Sequence, residues 1–427
     1  MPDTLILGSG IAGLSAGYHL KKINPNEEVV IYEKNDDWGG LCDNYTIDGF
    51  RFDKFVHFTF AKEEYVHNIF NSSSELYEHP AISSNYYKGY WLKHPAQNNL
   101  YPLPVTEKIK IIADFVKRPQ KEISEIENYA QWLECQYGEY FAHNFPFSYT
   151  RKYWGKEAKE LETRWVGERM YSPSLEQVLK GAFEPNDENF YYTNVMRYPK
   201  KGGFRSILNT IRDGLDIRFN KEAVGIDTQE KLVSFEDGSF KKYDELISSL
   251  PLPEIVKMIR TAPKEVLEAG KNLKYTSGYM VSLGFKRPDV AKNLWFYIYD
   301  EDILAARVYS PSLKSKDNVP EGCSSLQAEI FYANDVEIPS ADFVLNNTIE
   351  KLTQIGLFSK DEIYIKDIRY EQYANVIFDY NIYSNRKIIL DYLDSIAIKS
   401  IGRFGSWEYF WTNQAFLSGM NSIKAKI

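Results

Sequence analysis

Hydrophobic and polar positions along the chain fall into two rhythms. Near the N-terminus the apolar run Thr4-Leu5-Ile6-Leu7 reads as a strand. It is followed by Leu14-Ser15-Ala16-Gly17-Tyr18-His19-Leu20, apolar at helical spacing, and then by a second strand, Glu28-Val29-Val30-Ile31-Tyr32. From about Thr106 to Leu179 the rhythm is mainly helical, clearest in Glu107 to Phe115 and around Tyr129-Ala130-Gln131-Trp132-Leu133. Between Ser277 and Phe331 it changes to short runs rich in Val, Leu, Phe and Tyr, such as Tyr279 to Phe285 and Leu326 to Phe331. These predict strands of an antiparallel sheet. The runs 215–226 and 246–251 read as strands that return to the first unit. The expected fold class is therefore α/β: a Rossmann-like domain that the chain leaves and re-enters, an inserted helical domain, and an antiparallel sheet domain.

Composition bounds this picture. A chain of 427 residues, 44% hydrophobic, exceeds one compact core, so two or three units are expected. A formal net charge of -8 argues against a nucleic-acid-binding surface, and an anionic ligand would need a local basic pocket. No apolar run approaches the ~20 residues of a membrane span. The first residues lack the pattern of a secretory signal. The 3 cysteines, Cys42, Cys135 and Cys323, fit neither a disulfide framework nor a four-cysteine zinc site, and no metal site is expected. A cytoplasmic location follows as the expectation. Aromatics make up 15% of the chain, with 32 tyrosines; most serve the core, and the remainder can line a pocket.

The first candidate chemistry lies between the first strand and helix, in Gly8-Ser9-Gly10-Ile11-Ala12-Gly13. In this Gly-x-Gly-x-x-Gly pattern Gly8 permits the tight turn, Gly10 lets backbone N–H groups approach a pyrophosphate, and Gly13 lets helix and strand pack closely. The helix N-terminus presents the positive end of its dipole to phosphates. Glu33, closing the second strand about 20 residues on, can accept hydrogen bonds from an adenosine ribose. Both NAD and FAD use this fingerprint.

The next segment, Lys34-Asn35-Asp36-Asp37-Trp38-Gly39-Gly40-Leu41, resembles the glycine-pair continuation of FAD enzymes of the amine oxidase and glutathione reductase kind. The resemblance implies FAD, held by Gly8, Gly10, Ile11, Ala12, Gly13, Glu33, Lys34, Gly39, Gly40 and Leu41, with Val224 and Arg403 added from later segments. Further on, Tyr149-Thr150-Arg151-Lys152-Tyr153-Trp154-Gly155-Lys156-Glu157-Ala158-Lys159-Glu160-Leu161 resembles the helical-domain motif of UDP-galactopyranose mutases. Leu100 to Pro104, Trp165 to Arg169, Gly202-Gly203-Phe204 and Gly402 to Tyr409 follow in that family's order, so the resemblance spans nearly the whole chain.

This resemblance implies an FAD-dependent nucleotide-sugar mutase that interconverts pyranose and furanose forms of a UDP-sugar such as UDP-galactose through a flavin N5–sugar adduct of reduced FAD. NADPH or NADH would be the reductant, and the setting that of cell-surface polysaccharide synthesis. It also implies an FAD-binding domain in three segments, 1–78, 201–270 and 386–427. The helical domain would be 106–182, and the sheet domain would be 271–385 with segments 79–105 and 183–200.

Residue by residue, Tyr149 and Trp154 correspond to uridine contacts, Trp154 being equally readable as a core residue anchoring two helices. Arg169 and Arg307 match two arginines on the substrate diphosphate, a task for which the bidentate, always charged guanidinium is suited. For Arg307 an ordinary ion pair is the competing reading. Arg403 corresponds to a flavin-pyrophosphate contact, and Tyr409 reaches the sugar diphosphate. His57 corresponds to a histidine beside the isoalloxazine. Here the sequence departs from the family, which carries small residues, often glycine, before that histidine and in many members a second histidine after it; this chain has Phe55, Val56 and Phe60. The rival class is an amine-oxidase-like or protoporphyrinogen-oxidase-like FAD oxidoreductase, which shares the fingerprint and does not require Arg169 and Arg307 to converge.

Overall fold

The computed structural model describes residues 4–167, 170–186, 188–190 and 195–423. At its centre is a parallel sheet of 5 strands in the order Ile398–Ser400, Glu245–Ser248, Thr4–Leu7, Val29–Tyr32, Asp216–Arg218. Thr4–Leu7 is the middle strand and every residue of it is buried. That is why it reads as an apolar run without alternation. The chain places Val29–Tyr32 on one side of this strand and Glu245–Ser248 on the other. Strand order therefore reverses beside Thr4–Leu7, and a crevice opens beyond its C-terminal end, where open α/β sheets bind ligands.

The helix Ile11–Ile23 covers one face of this sheet with its buried residues Ile11, Ala12, Leu14, Ala16 and Leu20. Its close approach depends on Gly13, where a Cβ would fall 2.0 Å from the Gly8 carbonyl oxygen. The helix Thr412–Asn421 then packs on Ile11–Ile23 from outside: Ser15 Oγ donates to the Phe416 carbonyl at 2.7 Å, and a Cβ on Gly419 would lie 2.2 Å from the Ala12 carbonyl oxygen. The two ends of the chain are thus locked together against the crevice.

The second sheet has 7 strands in the order Ile363–Val376, Tyr275–Phe285, Ser324–Ala333, Arg307–Tyr309, Trp295–Ile298, Ser84–Tyr87, Tyr90–Lys93. It is antiparallel as expected except at one junction, where Trp295–Ile298 and Ser84–Tyr87 run parallel. The hairpin 84–93 enters from far upstream, so no tight turn constrains its direction at that edge. The run 215–226 also differs from expectation. Asp216–Arg218 joins the parallel sheet, whereas Ala223–Asp227 leaves it and starts a separate antiparallel sheet of 3 strands. A left-handed residue, Asn220 (φ 53), lies at the break.

The helices Val105–Lys117, Tyr129–Tyr137, Glu139–Asn144, Pro146–Trp154 and Leu175–Phe183 pack on one another as a separate layer. Pro146–Trp154 begins on proline, which has no N–H to leave unpaired in the first turn, and stops at Gly155 in the left-handed region (φ 62). It packs against Ser324–Ala333, and its buried residues Phe147, Tyr153 and Trp154 belong to a core shared with Phe55, Phe331 and Trp407. Among the described residues no helix is long and apolar enough to cross a membrane.

Candidate active site

A cavity of about 720 Å³ begins at the switch point and runs between the parallel sheet, the helical layer and the second sheet. Its wall includes Gly8, Gly10, Ile11, Ala12, Glu33, Lys34, Gly39, Gly40 and Leu41 at one end and His57, Tyr149, Trp154, Arg307, Arg403 and Tyr409 at the other. Most of the residues singled out in the sequence therefore share one space. Gly13 stands behind it, packed on Gly8. Arg169 lies outside the described residues. For Val224 the expectation is corrected: it is 52% exposed on the outer side of its strand, while the preceding Ala223 faces the cavity. Ala223 and Gly225 pair with the consecutive residues Phe235 and Ser234, so Val224 is the extra residue of a bulge and its side chain turns outward.

The nucleotide end has the shape of a glycine cradle. Gly8 and Gly40 occupy the left-handed region (φ 91 and 58), and a Cβ on Gly40 would lie 3.1 Å from the Gly10 Cα. Backbone N–H groups at the start of Ile11–Ile23 open into that space. Glu33 is buried, and its carboxylate is aimed by Ser9, whose N–H and hydroxyl both donate to Oε2 at 2.9 and 2.8 Å. Asn35 N–H and Nδ2 donate to Oε1 at 3.0 and 2.8 Å. These four donors occupy all the lone-pair sites of the carboxylate, so a ribose hydroxyl binds there by replacing one of them, the rotatable Ser9 hydroxyl or the Asn35 side chain. Arg403 Nε is buried without a hydrogen-bond partner among the described residues, a donor waiting for an acceptor in a wall otherwise satisfied. Glycine cradle, helix N-terminus, acidic residue and orphaned arginine nitrogen together fit an FAD.

At the other end the wall is aromatic. Tyr149 stacks on Tyr153 with centroids 5.5 Å apart and meets Tyr297 edge-on at 5.4 Å. Trp154 is buried against Trp165, 5.3 Å between centroids, and also borders the cavity. The helix carrying these residues is held by Lys152, whose Nζ donates to the carbonyls of Ile298 at 2.7 Å and Asp300 at 3.0 Å. Burial lowers that lysine to about 7.

His57 lies flat against Phe204, 4.9 Å between centroids and 24° between planes. Burial lowers it to about 4, so it is neutral through the physiological range. Phe55, where the family has small residues, adopts the left-handed conformation (φ 62) and stacks its ring on Phe331 at 5.7 Å.

Several residues at this site escaped the sequence reading. Arg307 is held by Glu329, which also accepts the Val56 N–H. Asp53 accepts from Phe204 N–H at 3.0 Å, from Tyr198 hydroxyl at 2.7 Å and from Lys314 Nζ at 3.1 Å, all beneath His57. The signal was there for two of them: a lone carboxylate inside an apolar strand run, as in Ala328-Glu329-Ile330 and Arg51-Phe52-Asp53, is rarely left unpaired. Lys314 sits in a one-turn helix with no comparable mark.

Residues 11–363 match the family of flavin-containing amine oxidoreductases. This chain belongs to that family. As such a flavoenzyme it shares its fold with a reduced UDP-galactopyranose mutase (TM-score 0.92, 24% identity, covering 100% of this chain and 95% of that one). It is similar, more distantly, to a provisionally assigned protoporphyrinogen oxidase from Exiguobacterium sp. 255-15 (TM-score 0.76, 13% identity, 100% and 98% covered). A fatty acid isomerase from P. acnes also matches (TM-score 0.67, 12% identity, 99% and 98% covered). The fold therefore accommodates both redox and isomerising relatives, and the choice between them belongs to the site.

Proposed function

We propose that this flavoenzyme is a nucleotide-sugar mutase that interconverts pyranose and furanose forms of a UDP-sugar such as UDP-galactose. The observation that carries the reading is a second arginine, Arg307, set in the same aromatic wall as the flavin-binding Arg403 and left for a second anionic group. The Arg307 guanidinium lies 5.4 Å from the Tyr153 ring centroid, Arg403 lies 4.7 Å from the Tyr409 ring centroid, and the two tyrosine hydroxyls are 3.2 Å apart. A cationic amine gains nothing from the Arg307 guanidinium. A diphosphate does, because arginine pairs bidentately with phosphate oxygens and stays charged.

In this reading Glu33, Lys34, the Gly8, Gly10, Gly39 and Gly40 backbone, and Arg403 Nε hold FAD. Reduced flavin, when bound, supplies a nucleophilic nitrogen toward an anomeric carbon. The chain's own residues bind, orient and stabilise charge. Tyr149 and Trp154 offer faces to a planar base. Arg307 and the Tyr409 hydroxyl hold the diphosphate and stabilise the charge it gains on leaving, in a site lined by Tyr153, Tyr297 and Phe331. Neutral His57 adds no competing charge. Arg169, matched by motif alone, is assigned to the same diphosphate in this proposal, and NADPH or NADH provides the reducing equivalents.

The test is anaerobic. FAD-loaded protein is reduced, UDP-galactopyranose and UDP-galactofuranose are added in separate reactions, and ring forms are separated by chromatography. Interconversion is expected in both directions. Absence of exchange with any nucleotide hexose, together with rapid oxygen uptake on an amine or porphyrinogen, would overturn the mutase reading in favour of an oxidase.

A further inference from the structure

Behind the tyrosine wall lies Asn375, 5% exposed, near the end of strand Ile363–Val376. Its Oδ1 accepts from Arg403 Nη2 at 2.8 Å and from the Tyr153 hydroxyl at 3.1 Å, and its Nδ2 points to Thr276 Oγ1 at 3.4 Å. The direction of every proton in this cluster follows from elementary donor counting. A guanidinium only donates, so the oxygen of the Asn375 amide must face Arg403. Tyr153 must then give its single proton to that same oxygen. Its hydroxyl oxygen is left as the acceptor in the 3.2 Å contact with Tyr409, and Tyr409 is the donor.

Arg403 is fixed from a second side by donating Nη1 to the Phe410 carbonyl at 3.1 Å. One buried amide oxygen thus anchors both the arginine and the tyrosine pair that border the basic end of the cavity.

We infer that Asn375 is a positioning residue: by accepting from Tyr153 and Arg403 at once, it aims the Tyr409 hydroxyl as a donor toward an anionic diphosphate and fixes the flavin-binding Arg403 beside it. The identity of that ligand rests on the nucleotide-sugar reading; the direction of the protons does not. An anion arriving at the wall takes the Tyr409 proton from the Tyr153 oxygen, while the Tyr153 proton stays on Asn375. Without the Asn375 oxygen, Tyr153 is released to donate toward Tyr409 and the arrangement can reverse.

Two measurements on FAD-loaded protein test this, with FAD content and melting temperature as folding controls. In the first, protein labelled with carbon-13 at tyrosine Cζ is observed by NMR without nucleotide, the resonance being assigned with Tyr409→Phe. Asn375→Leu is expected to shift the Tyr409 resonance, and the milder Tyr153→Phe to shift it too. An unchanged Tyr409 resonance in both variants overturns the inference. In the second, UDP is titrated as the probe. Asn375→Leu and Tyr153→Phe are each expected to weaken binding by about tenfold, the scale of one hydrogen bond to a charged group, with the double variant no weaker than the single ones. Additive losses, or binding within about twofold of the parent in both variants, overturn it. If the parent itself fails to bind UDP while the Tyr409 resonance still moves, the nucleotide-sugar reading falls and the positioning role stands.

Discussion

Arg307 and Glu329 are register partners on neighbouring strands, and the Arg307 Nε donates to a carboxylate with no exposed side-chain surface. The same carboxylate accepts the Val56 N–H, so one buried charge fixes both an arginine of the site and the segment that leads to His57. Removing it strands the guanidinium. Glu329→Ala is expected to lower the unfolding free energy by about 3–5 kcal/mol, the range for breaking one side of a buried pair. Glu329→Gln keeps one of the two acceptors and sets its NH2 against the other donor, so it is expected to cost less than alanine without restoring the parent. Chemical denaturation of the two variants beside the parent checks the order.

Phe55 sets up an inversion of the usual rank of alanine and glycine. Its left-handed backbone (φ 62) is strained for any residue with a Cβ, while its ring packs on Phe331 and over Gly278, where a Cβ would lie 2.8 Å from it. Both Phe55→Ala and Phe55→Gly lose the ring, but only glycine relieves the backbone. The glycine variant is expected to be more stable than the alanine variant by about 1 kcal/mol, opposite to the order at ordinary positions. Equal midpoints in urea would count against a strained Phe55.

Burial lowers both His57 and His94 from 6.5 to about 4. Above pH 6.5 both states are neutral and neither histidine affects stability. Between about 6.5 and 4 the unfolded chain binds protons that the folded chain refuses, so stability falls as pH falls through that window and the penalty is complete below it. Each unit corresponds to about 1.4 kcal/mol, which makes the two histidines a major acid-sensitive element. Urea unfolding at pH 7 and pH 5 is expected to show this loss, and His94→Gln to reduce it. A parent and variant with the same pH dependence would contradict the assignment.

Lys314 is enclosed completely, its ammonium 3.1 Å from Asp53 and 4.3 Å from the centroid of the Tyr309 ring. Asp53 also anchors the Phe204 N–H and the Tyr198 hydroxyl, so it has more partners to strand than Lys314 has. Asp53→Ala is expected to cost about 3–5 kcal/mol and Lys314→Met less, because methionine fills the aromatic box without charge. Thermal unfolding followed by circular dichroism ranks the two.

Much of the nucleotide end was legible in the sequence because its determinants are local. Gly8, Gly10 and Gly13 fall within one turn and one helix start, and Glu33 follows at the end of the next strand. Spacing alone places such residues together. The basic end was legible only in part. Arg307, Tyr149, Trp154 and Tyr409 were found through motif resemblance, whereas Tyr153, Asn375, Glu329 and Lys314 carry no local mark of their partners. Val224 shows the limit within a single strand: a register shift against the neighbouring strand, which no local pattern announces, turns its side chain outward.

The sequence by itself determined that a dinucleotide fingerprint opens the chain and that helical and strand segments alternate as an α/β fold requires. Both follow from local backbone preference and periodicity. Tertiary structure alone decided that the Tyr153 and Tyr409 hydroxyls meet, that Arg403 and Tyr153 share the Asn375 oxygen, and that Glu329 neutralises Arg307. These partners are separated by 22 to 256 positions along the chain. Their pairing depends on donor counts and burial in three dimensions, which no spacing within a helix or strand encodes.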